Sequence, residues 1–359
     1  MDHSGRRAKL AARLAALEVD ALLVTRLPNV RYLTGFTGSN GQLLVTASEA
    51  IFFTDSRYAE QARHEVPDVA RQVHPHSAFP SAFARAASDT GARRLGFEAD
   101  GITYRTYEEL RQGATIELVA VRDEVERLRQ AKEPEEIRLI ERAQALTDEA
   151  FERVLAKLVE GITEREVALE LEDAMRHGGA DRVGFDTIVA FGENAAEPHH
   201  GPTDRRLSRG DVVKVDFGCV VDGYHSDMTR TVAVGDPDPR LVEIHDVVRG
   251  AQEAGVAATR EGARAGDVDD AAREVIRAAG FGDRFGHSLG HGVGLEIHEG
   301  PGLRAGSDEA IPRGAVVTVE PGIYVPGLGG VRIEDMVEVT ADGCRPLPRS
   351  PRGLVVVQP

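Results

Sequence analysis

The stretch Asp211–Val234, DVVKVDFGCVVDGYHSDMTRTVAV, decides how this chain is read. Asp222-Gly223 sits between two alternating apolar runs, the strongest short-range signal for a hairpin. A two-residue turn sets the register, so pairing runs outward from Val221 opposite Tyr224 and puts Gly218 opposite Asp227. Opposed residues share a sheet face, and so do residues two apart on one strand. Asp216 therefore shares a face with Gly218 and Asp227, and the two carboxylates become diagonal neighbours with Cβ atoms about 7 Å apart or less. On this reading Gly218 leaves the space between them empty. The opposite face, Val213, Val215, Phe217 and Cys219, suits a core. Two carboxylates on one buried face repel each other unless a cation sits between them. A solvent-facing side of an edge hairpin would explain them too, and the hairpin alone leaves both readings open.

Two further segments add donors. Arg284–Gly302, RFGHSLGHGVGLEIHEGPG, contains His287, His291 and His298. His287 and His291 have the helical spacing of zinc proteases, but Gly290, Gly292 and Gly294 argue for a loop or strand. Taken one at a time, each histidine reads as readily as a structural one. Val316–Val339, VVTVEPGIYVPGLGGVRIEDMVEV, reads as a second hairpin with a long Gly/Pro-rich connection. Glu320 ends a nearly continuous apolar run, where a carboxylate needs a partner. Glu334 and Arg332 share one face of the returning strand, so Arg332 could pair with Glu334 or Glu320. Together the segments offer two Asp, two Glu and at least one His. Such oxygen-rich ligation with an imidazole suits divalent ions such as Mn²⁺, Co²⁺ or Zn²⁺. Four carboxylates exceed the needs of one ion and match a pair about 3.5–4 Å apart, the arrangement of metal-assisted hydrolysis.

The rest of the chain sets the frame. Its 359 residues exceed what one core usually supports, so two domains are expected. A net charge of −16 disfavours nucleic acid and anionic membranes as partners. The two cysteines, Cys219 and Cys344, make no disulfide framework and point to a reducing compartment. The N-terminal apolar stretch is broken by Arg13 and Glu18, which fits an amphipathic helix and not an export signal. A cytoplasmic protein is expected. Residues 1–130 alternate short strands with helices, with Ser56 as a candidate cap, and read as an α/β domain. Pro134 ends one helix or opens the next in a charged stretch, and the boundary is placed just before it. Residues 131–359 hold a helix capped by Thr163 and Glu166 and stopped at Gly178, then a strand-rich region with another helix pair between Pro239 and Gly280.

The segments VDFGCVVDGYHSDMTRT (215–231), GHSLGHGVGLEIHEGPG (286–302) and TVEPGIYVPGLGGVRIEDMV (318–337) resemble the dimetal pita-bread metallopeptidases, the superfamily of proline peptidases, methionine aminopeptidases and creatinase. NVRYLTGFTGSNGQLLVT (29–46) and FFTDSRYAEQA (52–62) resemble the creatinase-type N-terminal domain. The resemblance covers almost the whole chain. It implies an α/β domain followed by an α+β domain whose curved antiparallel sheet is backed by helices.

The resemblance also implies roles. Asp216 matches the chelating aspartate of one ion, Asp227 and Glu334 the bridging carboxylates, and His291 and Glu320 the ligands of the other ion. Glu320 further matches the residue taking a proton from the attacking water. His199, in FGENAAEPHHGP (191–202), matches a histidine facing the substrate, while His200 matches nothing firmly. His298 matches the histidine at the scissile bond and His287 a pocket-lining one. Tyr324 and Arg332 match residues supporting the carboxylate network and the substrate site. The full ligand set argues against a non-catalytic binding module and against creatinase-like amide hydrolysis. What the resemblance implies is an Xaa-Pro aminopeptidase with two divalent ions, Mn²⁺ first and Co²⁺ or Zn²⁺ next, acting as a homodimer on peptides with proline in the second position. The alternative is an Xaa-Pro dipeptidase, for which Arg31 or Arg304 would be candidates to hold the substrate's terminal carboxylate.

Overall fold

A computed structural model of the chain describes residues 1–113 and 116–358. It divides into two compact units, Met1–Arg129 and Gln130–Pro359. The first unit alternates helices α1 (His3–Ala11), α2 (Leu27–Thr34), α3 (Ala59–Glu65), α4 (Phe79–Asp89), α5 (Tyr104–Gly113) and α6 (Glu124–Gln130) with six strands. These are β1 (Ala21–Val24), β2 (Gly41–Thr46), β3 (Ala50–Thr54), β4 (Ala70–Val73), β5 (Arg94–Glu98) and β6 (Glu117–Val121). They form one mixed sheet in the order β4-β3-β2-β1-β5-β6. Leu23, Leu44, Phe53, Phe83 and Phe97 pack in its core. The cap expected at Ser56 falls one residue earlier. The Asp55 carboxylate accepts from the Arg57 N–H at 2.9 Å, opening a short 3₁₀ turn before α3.

The second unit opens on two long helices, α7 (Pro134–Leu155) and α8 (Glu164–Gly178). Pro134 occupies the first turn of α7, where its missing N–H costs nothing, and Glu133 and Glu136 cap it reciprocally. Thr163 and Glu166 do the same for α8. That helix runs through Gly178 and stops at Gly179, whose φ of 107° only glycine adopts easily. Strands β7 (Arg182–Val183), β8 (Ile188–Phe191), β9 (Val212–Phe217), β10 (Cys219–Val221), β11 (Tyr224–His225) and β12 (Met228–Val234) follow. Helices α9 (Pro239–Ala258) and α10 (Ala265–Ala278) come next. The chain then returns to strands with β13 (Gly290–Gly292), β14 (Glu299–Leu303), β15 (Val316–Val319), β16 (Gly322–Val325), β17 (Gly329–Arg332), β18 (Asp335–Thr340), β19 (Gly343–Pro346) and β20 (Val356–Val357).

Two antiparallel-rich sheets, β20-β12-β9-β8 and β14-β13-β15-β18-β19, carry the unit. Each has its own helical backing. Phe151, Val167 and Leu171 of α7 and α8 pack on Val213, Val215 and Phe217 of β9. Ile244, Val248 and Ile276 of α9 and α10 pack with Val317, Val319 and Val337 of β15 and β18. No helix among the described residues is long and apolar enough to cross a membrane.

The first hairpin keeps the register that its turn dictates. Val221 pairs with Tyr224 in β10–β11, and Asp216 pairs with Thr229 in β9–β12. Asp222 and Gly223 both have positive φ, 47° and 82°, as a two-residue turn of matching twist requires. Gly218 has a different purpose from the one expected. A Cβ there would lie 2.0 Å from the Ser226 carbonyl oxygen, so the glycine admits the partner backbone and does not simply leave room between carboxylates.

Gly218→Ala therefore has no way to relax without moving backbone. The substitution is expected to cost about 1–3 kcal/mol, read as a lower unfolding temperature of the second unit. An unchanged unfolding temperature would contradict this account of the hairpin.

Candidate metal centre

Each candidate ligand is placed by a strand end. Asp216 lies on β9, and Asp227 lies one residue before β12. His291 is the middle residue of β13, which pairs with β15 through Gly292 and Val317. That approach needs a glycine at Gly290, where a Cβ would lie 2.0 Å from the Thr318 carbonyl oxygen. Strands β15 and β18 pair through Val319 and Asp335, and β16 and β17 through Gly322 and Arg332. One register runs through both pairs, so Glu320 and Glu334, just outside the strands, fall opposite each other.

These side chains converge. One ligand atom each from Asp227, His291 and Glu334 lie within 4.8 Å of one another. His291 Nε2 lies 3.5 Å from Asp227 Oδ2 and 3.4 Å from Glu320 Oε1. Glu334 Oε2 accepts from the Thr229 hydroxyl at 2.8 Å. Arg332 donates to Asp216 Oδ2 at 2.6 Å and to the Thr229 hydroxyl at 3.0 Å. Its Nε is 4.0 Å from Glu320 Oε2, so Asp216 is its main carboxylate partner, a pairing not weighed from the sequence.

The electrostatics show what the group lacks. Burial, followed by repulsion from the neighbouring carboxylates, holds the Asp227 and Glu334 carboxyls well above the ordinary range. Burial pushes Glu320 up to about 8, with Asp216 adding to the rise and Arg332 opposing it. Burial also depresses His291 to about 4, leaving a neutral imidazole ready to ligate. Asp216 Oδ1 is buried with no hydrogen-bond partner. Crowded carboxylates, an orphaned carboxylate oxygen and a neutral imidazole form a donor set that fits divalent cations.

A cavity of about 570 Å³ opens over this group. All five candidate ligands line it, as do His199, His287, His298 and Arg332. The His298 ring lies 4.3 Å from the His291 ring. His199 is exposed to the cavity and has no hydrogen bond to another described residue. Tyr324 is absent from the lining. It is buried behind it, where its hydroxyl meets His287 Nε2 at 2.9 Å and accepts from Arg332 at 2.8 Å. Arg304 is exposed and lies outside the cavity wall, and Arg31 belongs to the first unit.

Sequence reasoning left His200 without a role and passed over two other buried residues. His200 is sandwiched between carboxylates, with Nε2 at 3.0 Å from Glu164 and Nδ1 at 2.8 Å from Glu197. Glu164, the first residue of α8, reads in sequence as an ordinary acidic helix start. Lys214 reads as a polar interruption between Val213 and Val215 of a strand. Burial, with the nearby Arg332 charge, depresses its ammonium to about 7. A lysine between Val213 and Val215 was the available signal, whereas nothing in the sequence marks the burial of Glu164.

The model of metallopeptidase family M24 matches residues 138–341, and that of the creatinase/prolidase N-terminal domain matches residues 6–131. The chain is 37% identical to an Xaa-Pro dipeptidase of Pyrococcus horikoshii, covering 94% of this chain and 95% of the relative. It superposes on an Xaa-Pro dipeptidase from Bacillus anthracis with a TM-score of 0.96, at 39% identity over 99% of each chain. It superposes on an X-Pro aminopeptidase from Thermotoga maritima with a TM-score of 0.88, at 35% identity over 96% of this chain and 100% of that one. The two-sheet, helix-backed second unit is thus the pita-bread catalytic fold, and the chain belongs to metallopeptidase family M24, with a creatinase-type N-terminal domain.

Proposed function

We propose that the chain hydrolyses the bond between an N-terminal residue and a following proline, with Xaa-Pro dipeptides as its substrates and two divalent ions as its cofactor. The observation that carries this is the convergence of Asp216, Asp227, His291, Glu320 and Glu334 on one cavity wall with His199 and His298. Dipeptides are placed ahead of longer peptides because Xaa-Pro dipeptidases stand among the relatives of both kinds, by sequence and by structure. The aminopeptidase reading, first on sequence alone, becomes the second and is favoured by the Thermotoga maritima enzyme. Mn²⁺ is the first ion to supply, then Co²⁺ or Zn²⁺. A homodimer in the cytoplasm belongs to the same proposal.

Asp216, Asp227, His291, Glu320 and Glu334 would hold the ions. Divalent ions so held acidify water and polarise a carbonyl oxygen. The protein's own groups then divide the remaining work. Glu320 faces the cavity with Oε1 steadied by the Thr318 hydroxyl at 3.2 Å; with cations offsetting the burial that raises it to about 8, it would be ionised and able to accept the proton of the attacking water. His298 is exposed to the cavity, and the partial burial of its ring lowers its pKa below the ordinary value. It therefore stays neutral at pH 7 and offers an N–H to the oxygen on which charge develops. His199, exposed to the cavity from the segment between β8 and β9, would face the substrate, and His287, fixed by Tyr324, lines the pocket. Apolar Phe185, Ile188 and Ile297 complete the wall, which suits a pyrrolidine ring with no N–H to satisfy.

Chelator-stripped protein reloaded with Mn²⁺ is expected to cleave an Xaa-Pro dipeptide and to spare the matched Xaa-Pro-Yaa tripeptide, followed by mass spectrometry. Comparable cleavage of the tripeptide would establish the aminopeptidase reading instead, and silence on both would contradict proline-specific hydrolysis. His298→Ala is expected to lower kcat by roughly 10²–10³-fold, the size of losing one oxyanion donor, with bound metal unchanged. A full kcat in that variant would remove His298 from the mechanism.

A further inference from the structure

The segment between β8 and β9 brings His199 to the cavity, yet only a short 3₁₀ turn, Gly192–Ala196, gives it regular structure. Its carbonyls and side chains need partners elsewhere. Two buried polar side chains, Lys214 of β9 and Glu164 of α8, supply them. Lys214, fully buried on β9, points its ammonium at the carbonyl oxygens of Ala195 at 3.1 Å, Glu197 at 2.5 Å and Pro198 at 3.5 Å. An ammonium has three protons and no acceptor, so three carbonyls match it. The Tyr324 ring lies under it at 5.1 Å. Arg332, which holds Asp216, also donates to the Pro198 carbonyl at 3.2 Å.

Glu164 is fully buried as well and accepts from both ends of the segment. Phe191 N–H reaches it at 2.8 Å and the Asn194 amide at 2.9 Å. Thr203 reaches it through N–H at 2.9 Å and through its hydroxyl at 2.5 Å. His200 joins the same carboxylate at 3.0 Å. The residues on either side of His199 are therefore anchored, Pro198 by Lys214 and Arg332, and His200 by Glu164 and Glu197. His199 itself remains free to meet a ligand.

A buried lysine on a strand whose neighbours are Val213 and Val215 breaks the local apolar pattern. An aliphatic side chain would fill the position without the cost of burying a charge. Such departures gather where function needs geometry.

We propose that Lys214 and Glu164 are positioning residues for His199, clamping the 192–203 segment and so setting the cavity wall that meets the substrate. The proposal rests on the reading of His199 as a substrate contact. It differs from a plain stability role, because its effect must travel through the His199 ring.

A double-mutant cycle on the metal-loaded full chain tests this, with kcat/KM for an Xaa-Pro dipeptide, bound metal and unfolding temperature all measured. Lys214→Met is expected to lower kcat/KM by roughly 10–100-fold, as a small misplacement near the reacting bond does, with metal content retained. In a His199→Ala background the same change is expected to cost less than about twofold, since the coupled partner is already gone. Lys214→Arg, which keeps donors for the three carbonyls, is expected to recover part of the loss. Equal losses in both backgrounds, or loss of metal from Lys214→Met, would overturn the clamp while leaving His199 as a substrate contact. Unaltered kcat/KM in His199→Ala alone would overturn the reading of His199 and the clamp with it. Should Lys214→Met fail to fold, His200→Gln in the same two backgrounds applies the same criterion from the Glu164 side.

Discussion

Four carboxylates, from Asp216, Asp227, Glu320 and Glu334, share one wall of a cavity in the second unit. Arg332 pairs directly with Asp216 and reaches Glu320 only at 4.0 Å, so one guanidinium faces four acids. An ionised carboxylate buried without compensation costs several kcal/mol, so the protein's own groups hold Asp227 and Glu334 towards protonation. The fold keeps these groups together at that cost. Divalent cations remove the conflict, and everything that places the carboxylates can be read as preparation for them.

The preparation is made of backbone, and glycine makes it. Gly218 lets β9 pass the Ser226 carbonyl, and Gly290 lets β13 approach Thr318. Each contact brings a strand that carries a candidate ligand closer than a side chain would permit. Hydroxyls and guanidinium then fix the acids. Thr229 stands between Glu334 and Arg332, and Arg332 ties Asp216, Tyr324 and Pro198 into one network. The carboxylate cluster and the His199 segment are thus joined through one buried arginine.

Much of this was legible because it is local. Asp222-Gly223 set the first hairpin's register through β12, and Thr163 with Glu166 marked a helix start. The second hairpin was harder. Its connection is long, so no turn dictates the register, and the opposition of Glu320 to Glu334 had to come from the strands themselves. The pairing of Arg332 with Asp216 spans 116 positions and leaves no periodic trace. Lys214 and Glu164 were invisible as clamps for the same reason. Their partners are carbonyls and N–H groups, which every residue carries, so no side-chain pattern announces them. Ser56 was displaced as a cap by Asp55, a charged acceptor one position earlier.

The decisive quantity is the number of divalent ions the carboxylate cluster holds. Equilibrium dialysis of the chelator-stripped chain against Mn²⁺, beside Glu334→Gln, measures it. If the cluster is a two-ion site, the unaltered chain takes up about two ions and the variant markedly fewer. A stripped chain that binds no divalent ion, or a Glu334→Gln variant that binds as many, would contradict the assignment on which the rest is built.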